Sequence, residues 1–255
     1  MTKNIWNSIA PDFEDEVMEI TKSDLYGTLQ KQVNKISNLQ KTAADLGCGA
    51  GSLLPLLTDK FKMVYAVDGA DELLNVAREK YDYSNVDYLC HDLSKKTKSP
   101  VVADVTFCVN VLINPSHENR INILKKVSDA TKAGGLCIFV VPSMESELHM
   151  YQTLVRHKEK GKTKYKHAVS EINKLFKNEV VSPVEGIVDI GGSLTKCYIR
   201  EEIGLFLSQA GFNVEDVKKI EYSWKEIIDS SPQWLKEPYP WDWLIVARKN
   251  RKKEK

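Results

Sequence analysis

Along residues 41–141, short apolar runs alternate with segments whose apolar positions recur at helical spacing. Thr42–Leu46, Met63–Val67, Val86–Cys90, Val101–Val111 and Leu136–Val141 read as strands. Ser52–Lys60 reads as a helix with Pro55 in its first turn, where a missing N–H does least harm. Asp71–Lys80 places Leu73, Leu74, Val76 and Ala77 on one face. Ser116 predicts a cap for a helix over about Glu118–Thr131, with Ile121, Leu124 and Val127 inward and Ala133-Gly134-Gly135 ending it. Strands separated by helices of this length predict a parallel sheet with right-handed crossovers.

The pattern is looser on either side. Phe13–Ile20 and Asp24–Leu39 predict two amphipathic helices before the alternation. After it, Met144–Lys177 reads as mostly helical and basic, and Ser182–Ile199 as irregular or β-like around Gly186, Gly191 and Gly192. Arg200–Ala210 predicts a helix stopped by Gly211, and Phe212–Tyr222 and Trp241–Ala247 predict strands. The basic tail from Arg248 is expected to fray.

Composition narrows the class. The chain has 255 residues and a formal net charge of +1, so no global field favours nucleic acid or membrane. No apolar run approaches the roughly 20 residues of a membrane span, and Met1–Asn7 lacks a secretory core. The five cysteines are never spaced Cys-x-x-Cys, and four lie in or beside apolar runs. They read as reduced thiols of a cytoplasmic protein, neither a zinc site nor a disulfide framework.

The candidate chemistry lies in ADLGCGAGSLLPLLT, residues 43–57. A glycine turn between strand and helix commonly holds a nucleotide-like ligand. Position 52, where a dinucleotide fingerprint has its third glycine, is Ser, which weakens a nicotinamide-cofactor reading. Asp45 precedes the first glycine by two positions, where it would repel a phosphate and attract a cationic amino group. Asp68 follows Gly47 by 21 residues and could accept from ribose hydroxyls, and Asp92 ends the third strand. In a parallel sheet the three carboxylates share one crevice, so the inferred ligand has a ribose and a further donor but no phosphate. Turn or helix-capping chemistry is the alternative reading of Asp68 and Asp92.

The run Asp45-Leu46-Gly47-Cys48-Gly49-Ala50-Gly51 resembles the first motif of class I S-adenosylmethionine-dependent methyltransferases. Asp68, His91-Asp92-Leu93, Ala103-Asp104-Val105, Lys132-Ala133-Gly134-Gly135 and Ala210-Gly211-Phe212 follow in that family's order. The resemblance implies an α/β, Rossmann-like sheet of seven mostly parallel strands, the last antiparallel, with helices on both faces. It also implies N-terminal cover helices (1–40) and a helical or irregular lid insertion (142–198), set around a core at 41–141 and 199–248. The implied cofactor is S-adenosyl-L-methionine, released as S-adenosyl-L-homocysteine. The Gly47–Gly51 backbone, Cys48 and Gly49 included, would run under its methionine part and Asp45 would hold its amino group. Asp68 would take the ribose hydroxyls, Gly69 and Ala70 would lie by the adenine, and Asp92 would accept from the adenine amino group beside Leu93. Asn110 would close the methionine end.

The acceptor is less legible. Methyl transfer from a sulfonium is an in-line displacement that needs alignment and dryness, and a base only if the acceptor must lose a proton. His117 could be that base, although it sits at a predicted helix start in Asn114-Pro115-Ser116-His117, which also reads as a plain turn and cap. Ser143, Glu145, His149, Tyr151 and Arg156 follow the fifth strand and could face the pocket, His149 and Tyr151 as further catalytic candidates. Trp6, Phe13 and Tyr26 could close over the cofactor. Arg156–Lys177 holds eight Lys/Arg and reads either as an RNA- or anion-binding face or as a solvated helix. Trp241 and Trp243 share one strand face, and Pro232-Gln233-Trp234 reads as part of a rigid loop. The expectation is a small-molecule methyltransferase, monomeric or homodimeric, without nucleic-acid or membrane partners. An RNA or protein methyltransferase and a non-catalytic cofactor-binding module are the alternatives.

Overall fold

The computed structural model describes the chain except residues 1–2, 9, 14–16, 161–162, 176–178, 229–230, 232–234 and 252–255. Seven strands form the main sheet: β1 (Asn38–Leu46), β2 (Phe61–Asp68), β3 (Val86–Cys90), β4 (Ala103–Val109), β5 (Thr131–Pro142), β9 (Phe212–Glu221) and β10 (Trp241–Lys249). Their order is β3-β2-β1-β4-β5-β10-β9. β10 runs antiparallel to both of its neighbours, and the pairs from β3 through β5 are parallel.

The sheet is buried on both faces, which is why its central strands are continuously apolar rather than alternating. Successive residues feed opposite cores: Ala44 and Leu46 join one, with Phe139, Phe212 and Trp243, while Ala43 joins the other, with Leu29, Leu54 and Phe107. The helix His117–Ala130 covers the first core face and is capped as expected, Ser116 accepting from the Asn119 N–H. In the helix Asp71–Lys80, acids occupy the first turn and bases the last, matching the helix dipole. Among the described residues, no helix is long and apolar enough to cross a membrane.

Several boundaries differ from the sequence reading. The helix expected over Ser52–Lys60 is a single turn, Leu54–Leu57, with Pro55 near its start. Asp24–Leu39 is helical only over Thr28–Ile36, after Gly27 (φ 61°); the short helix Ile20–Ser23 precedes it, and β1 already begins at Asn38. Of Phe13–Ile20, residues 14–16 fall outside the described set and residues 17–19 are not helical. Ala133-Gly134-Gly135 lies inside β5, where Gly135 backs onto the Asp104 carbonyl closely enough that a Cβ would sit 2.8 Å from its oxygen. The segment 142–198 forms the helices Met144–Lys160 and Tyr165–Leu175, then a small antiparallel sheet of β6 (Glu179–Ser182), β7 (Ile187–Ile190) and β8 (Ser193–Lys196). Trp241 and Trp243 share the first core face, their rings 5.9 Å apart.

Candidate active site

The carboxyl ends of β1, β2, β3 and β4 open into one cavity of about 670 Å³, within the range of small-molecule sites. The glycine turn after β1 forms its floor. Gly47 has φ 84°, and a Cβ there would lie 2.3 Å from Val111 Cγ2. Only glycine lets the turn pass under the loop after β4. Gly49 has φ 53° and lies against the Phe13 ring. The turn is tied to β2 by the Gly47 and Cys48 N–H groups, which donate to the Val67 carbonyl at 2.7 and 3.1 Å.

Asp68 completes that tie. Its Oδ2 accepts from the Gly49 N–H at 2.9 Å and its Oδ1 from the Ala70 N–H at 2.8 Å. Burial raises the Asp68 pKa, and these backbone donors, with that of Gly69, pull it back. Asp92 is likewise engaged by its own turn: its Oδ1 accepts from Ser94 N at 2.9 Å and Ser94 Oγ at 2.6 Å, and its Oδ2 lies 4.0 Å from Lys95 Nζ. Turn chemistry is thus present at both positions, and each carboxylate keeps unused acceptor capacity.

Asp45 is different. It is 2% exposed, and its Oδ2 is buried with no hydrogen-bond partner. Burial, and secondarily the nearby Asp68 carboxylate, push its pKa from 3.8 to about 7. Across the cavity floor, Asn110 is the one described non-glycine residue with positive φ (54°). Its N–H donates to the Val140 carbonyl at 2.9 Å, and its Oδ1 is buried without a partner. With Glu19 Oε2 and Ser193 Oγ, they make four buried oxygens of cavity-lining residues that lack a hydrogen-bond partner among the described residues. The Asp45 and Asn110 oxygens beside the glycine turn ask for a donor, ideally a cationic one at Asp45.

Ten of the eleven expected cofactor residues line this cavity: Asp45, Gly47, Cys48, Gly49, Asp68, Gly69, Ala70, Asp92, Leu93 and Asn110. Gly51 does not. It packs under Leu54, Tyr81 and Ala77 and lets the helix Asp71–Lys80 close on the turn. Burial raises the Cys48 thiol pKa well above its ordinary value, so it is an inert wall and not a nucleophile.

None of the three candidate bases lines the cavity. His117 is exposed in the first turn of its helix. His149 contacts the Pro238 carbonyl at 3.1 Å and the rings of Trp224 and Trp241. Tyr151 lies on the same helix, whose Met150 and Leu154 pack on Trp224 and Leu235. That packing turns the helix toward the tryptophan-rich segment and away from the cavity. Ser143 and Glu145 are used at the helix start: Ser146 N–H donates to Ser143 Oγ at 3.0 Å, and Glu145 Oε1 accepts from Arg200 N–H at 2.8 Å. Arg156 also lies off the cavity, as do the described side chains of the basic segment, where Lys158 pairs with Glu171 at 2.8 Å. Lys162, Lys177 and the Pro232-Gln233-Trp234 loop fall outside the described residues.

The remaining walls come from three regions expected near the acceptor, namely the loop after β4, the N-terminus and the 142–198 insertion, although the sequence does not single out most of the individual side chains. Ser193, Leu194 and Thr195 of β8 line the cavity, with Asn114, Pro115 and Asn119 after β4 and Glu19 to Thr21 near the N-terminus. The two lid pieces are joined: Lys196 N–H donates to the Ile113 carbonyl at 2.8 Å and Tyr198 OH to the Leu112 carbonyl at 2.7 Å. Buried Arg120 holds the Asn114 and Pro115 carbonyls at 2.7 and 2.8 Å. Trp6 and Phe13 pack with Ala50, Ala70 and Leu73 beside the glycine turn. The three glycines in 182–199 hinted at a chain that doubles back, but not at which of its residues would face inward.

Comparison with known proteins agrees with this geometry. Residues 43–135 match a family model described as a methyltransferase domain. A ubiquinone biosynthesis O-methyltransferase of Coxiella burnetii is 26% identical over 113 residues, which is 44% of this chain and 47% of the relative. The match therefore spans about half the length of that relative. The DhpI–SAM–HEP complex superposes with a TM-score of 0.62 at 16% identity, covering 96% of this chain and 94% of the other. Magnesium protoporphyrin IX methyltransferase from Synechocystis PCC 6803, with bound SAH, gives 0.56 at 17% identity, covering 97% of each chain. At such identities the superpositions speak for the fold. With the matched span, the strand order and the glycine turn in agreement, residues 43–135 are similar to a methyltransferase domain and sit in a Rossmann-like sheet.

Proposed function

We propose that the protein transfers a methyl group from S-adenosyl-L-methionine to a small-molecule acceptor. The observation that carries the reading is the buried, unpartnered Oδ2 of Asp45 beside the glycine turn. A carboxylate so placed suits a ligand ammonium group and opposes a phosphate. In this reading Asp45 takes the amino group, Asp68 accepts from the ribose with its remaining lone pair, and Asp92 Oδ2 accepts from the adenine amino group. Gly47, Cys48 and Gly49 give the methionine part a close backbone floor. Gly69, Ala70 and Leu93 flank the adenine, and Asn110 closes the methionine end. Bound there, the cofactor supplies a methyl group on a sulfonium centre.

The chain's own work is then positioning and exclusion of water. Val17, Met18, Ile20, Ile113, Ile123 and Leu194 give the cavity apolar walls, and Asn114, Asn119, Ser193 and Thr195 add neutral hydrogen-bonding groups. Among the described residues the walls contain no histidine or tyrosine, so we assign no base to His117, His149 or Tyr151. The described cysteines are all free thiols, which favours a cytoplasmic enzyme. The described basic residues of 156–177 stay off the cavity, which disfavours RNA.

Calorimetric titration with S-adenosyl-L-methionine and S-adenosyl-L-homocysteine tests the cofactor assignment: saturable one-to-one binding is expected, and no binding to either would end it. Methyl transfer to a panel of phenols, carboxylic acids and amines, with an RNA pool alongside, tests the acceptor class. Turnover of the RNA alone would overturn the small-molecule reading.

A further inference from the structure

Asn110 ends β4 in a left-handed conformation that costs free energy for a non-glycine residue, and it persists because the surroundings fix it. Its N–H is held by the Val140 carbonyl, and its side-chain amide lies beside Asp242 on β10, where it acts as a donor that lowers the Asp242 pKa. Asp242 is buried, does not line the cavity, and accepts from the Tyr222 hydroxyl at 2.8 Å through Oδ2. Tyr222 is buried too, and its N–H donates to the Pro240 carbonyl at 2.9 Å.

The chemistry of the pair decides which way the amide faces. A carboxylate only accepts, so the Asn110 group meeting Asp242 must be the NH2. The Asn110 oxygen is then the atom left over, and it is the one buried without a protein partner. Another such oxygen, on the neighbouring strand, is Asp45 Oδ2. An ammonium offers three N–H donors and needs more than one acceptor when buried.

We infer that Asp242 and Tyr222 are positioning residues that lock the Asn110 amide with its oxygen toward the cofactor's ammonium group, opposite Asp45. The inference rests on the cofactor reading above. It makes the direction of a hydrogen-bond chain, Tyr222 to Asp242 to Asn110, part of ligand recognition.

The test is calorimetric titration of S-adenosyl-L-homocysteine into the full chain and four variants, each first checked for a native thermal transition. In Asp242→Asn, Tyr222 keeps its hold on the side-chain oxygen, so the introduced NH2 meets Asn110. The Asn110 amide must then turn round and present its own NH2 to a cation. Affinity should fall at least tenfold. Adding Tyr222→Phe frees the introduced amide to turn instead, so the double variant Tyr222→Phe/Asp242→Asn should bind more tightly than Asp242→Asn alone. Asn110→Ala should lose about tenfold, and Asp242→Asn should cost nothing further in that background.

A merely structural Asp242 would give losses that multiply and no rescue, and that result overturns the inference. So does Asp242→Asn binding within twofold of the wild type. If Asp242→Asn does not fold, Asn110→Ala with unchanged affinity overturns it by itself. If the wild-type chain binds no S-adenosyl-L-homocysteine, the cofactor reading has failed and the inference goes with it; wild-type binding without the rescue sinks the inference alone.

Discussion

Asp45→Asn separates what the site costs from what it binds. In the ligand-free fold the buried Asp45 carboxyl has a pKa of about 7 against 3.8 for an ordinary aspartate. That difference corresponds to roughly 4 kcal/mol of native-state destabilisation once the group is ionised. The folded state holds the proton more tightly than the unfolded chain. The contribution is therefore favourable below about pH 4, is lost as pH rises to about 7, and stays lost above that. An isosteric amide mimics the protonated form at every pH. Asp45→Asn should stabilise the ligand-free protein by up to about 4 kcal/mol at pH 8 and by only 1–2 kcal/mol at pH 5. At this chain length about 4 kcal/mol is a rise in Tm of about 8 °C. Comparing variant with wild type at each pH cancels the other carboxylates, including Asp242, whose pKa is raised to about 6 by burial and acts in the same sense. Urea unfolding at both pH values, read by tryptophan fluorescence, measures the difference. In the same variant, affinity for S-adenosyl-L-homocysteine should fall by about 3 kcal/mol or more, as for breaking a buried ion pair. A variant less stable than wild type at pH 8, or a stability difference that ignores pH, would refute the argument.

Other consequences are simpler to measure. Wild-type affinity for the cofactor should weaken about tenfold per pH unit below pH 7, because Asp45 must give up its proton to bind a cation; flat affinity between pH 5 and 7 by calorimetry would contradict this. Asp68→Ala should reduce cofactor affinity by about 1–3 kcal/mol and also lower Tm, since it frees the Gly49 and Ala70 N–H groups. Gly47→Val should abolish cofactor binding, and adding Val111→Gly should not restore it, because a φ of 84° excludes a β-branched residue even with the clash removed; full recovery by calorimetry would contradict this. Arg120→Ala should raise KM for the acceptor several-fold while cofactor affinity stays within twofold, because it releases only the Asn114-Pro115 loop.

Much of this molecule was legible where the code is local. Ser116 announced its helix because a hydroxyl cap acts within three residues, and Asp71–Lys80 because its apolar face repeats within ten. Asp45, Asp68 and Asp92 could be placed together because parallel strands put their carboxyl ends on one edge. What stayed hidden depended on distant partners. Tyr151 and His149 face away from the cavity because Met150 packs on Trp224 and Leu235, more than 70 residues on. Ser193–Thr195 belongs to a sheet of four-residue strands, too short for a periodicity to declare itself. Asp242 carries no motif; its meaning arises only when β10 comes to rest between β5 and β9.

That placement bears on how the molecule comes into being. β9 leaves the ribosome before β10, yet among the described residues its only strand neighbour in the finished sheet is β10. Until β10 is synthesised, β9 lacks its strand partner, although its Glu221 carbonyl can still accept from the Leu25 N–H, and the edge of β5 stands open. The strand that fills this gap also delivers Asp242 to Asn110. A chain halted anywhere before residue 241 can assemble the glycine turn and the three acids at the strand ends, but it lacks the group that orients the far wall of the site. Ligand recognition is thus among the last properties the nascent protein acquires.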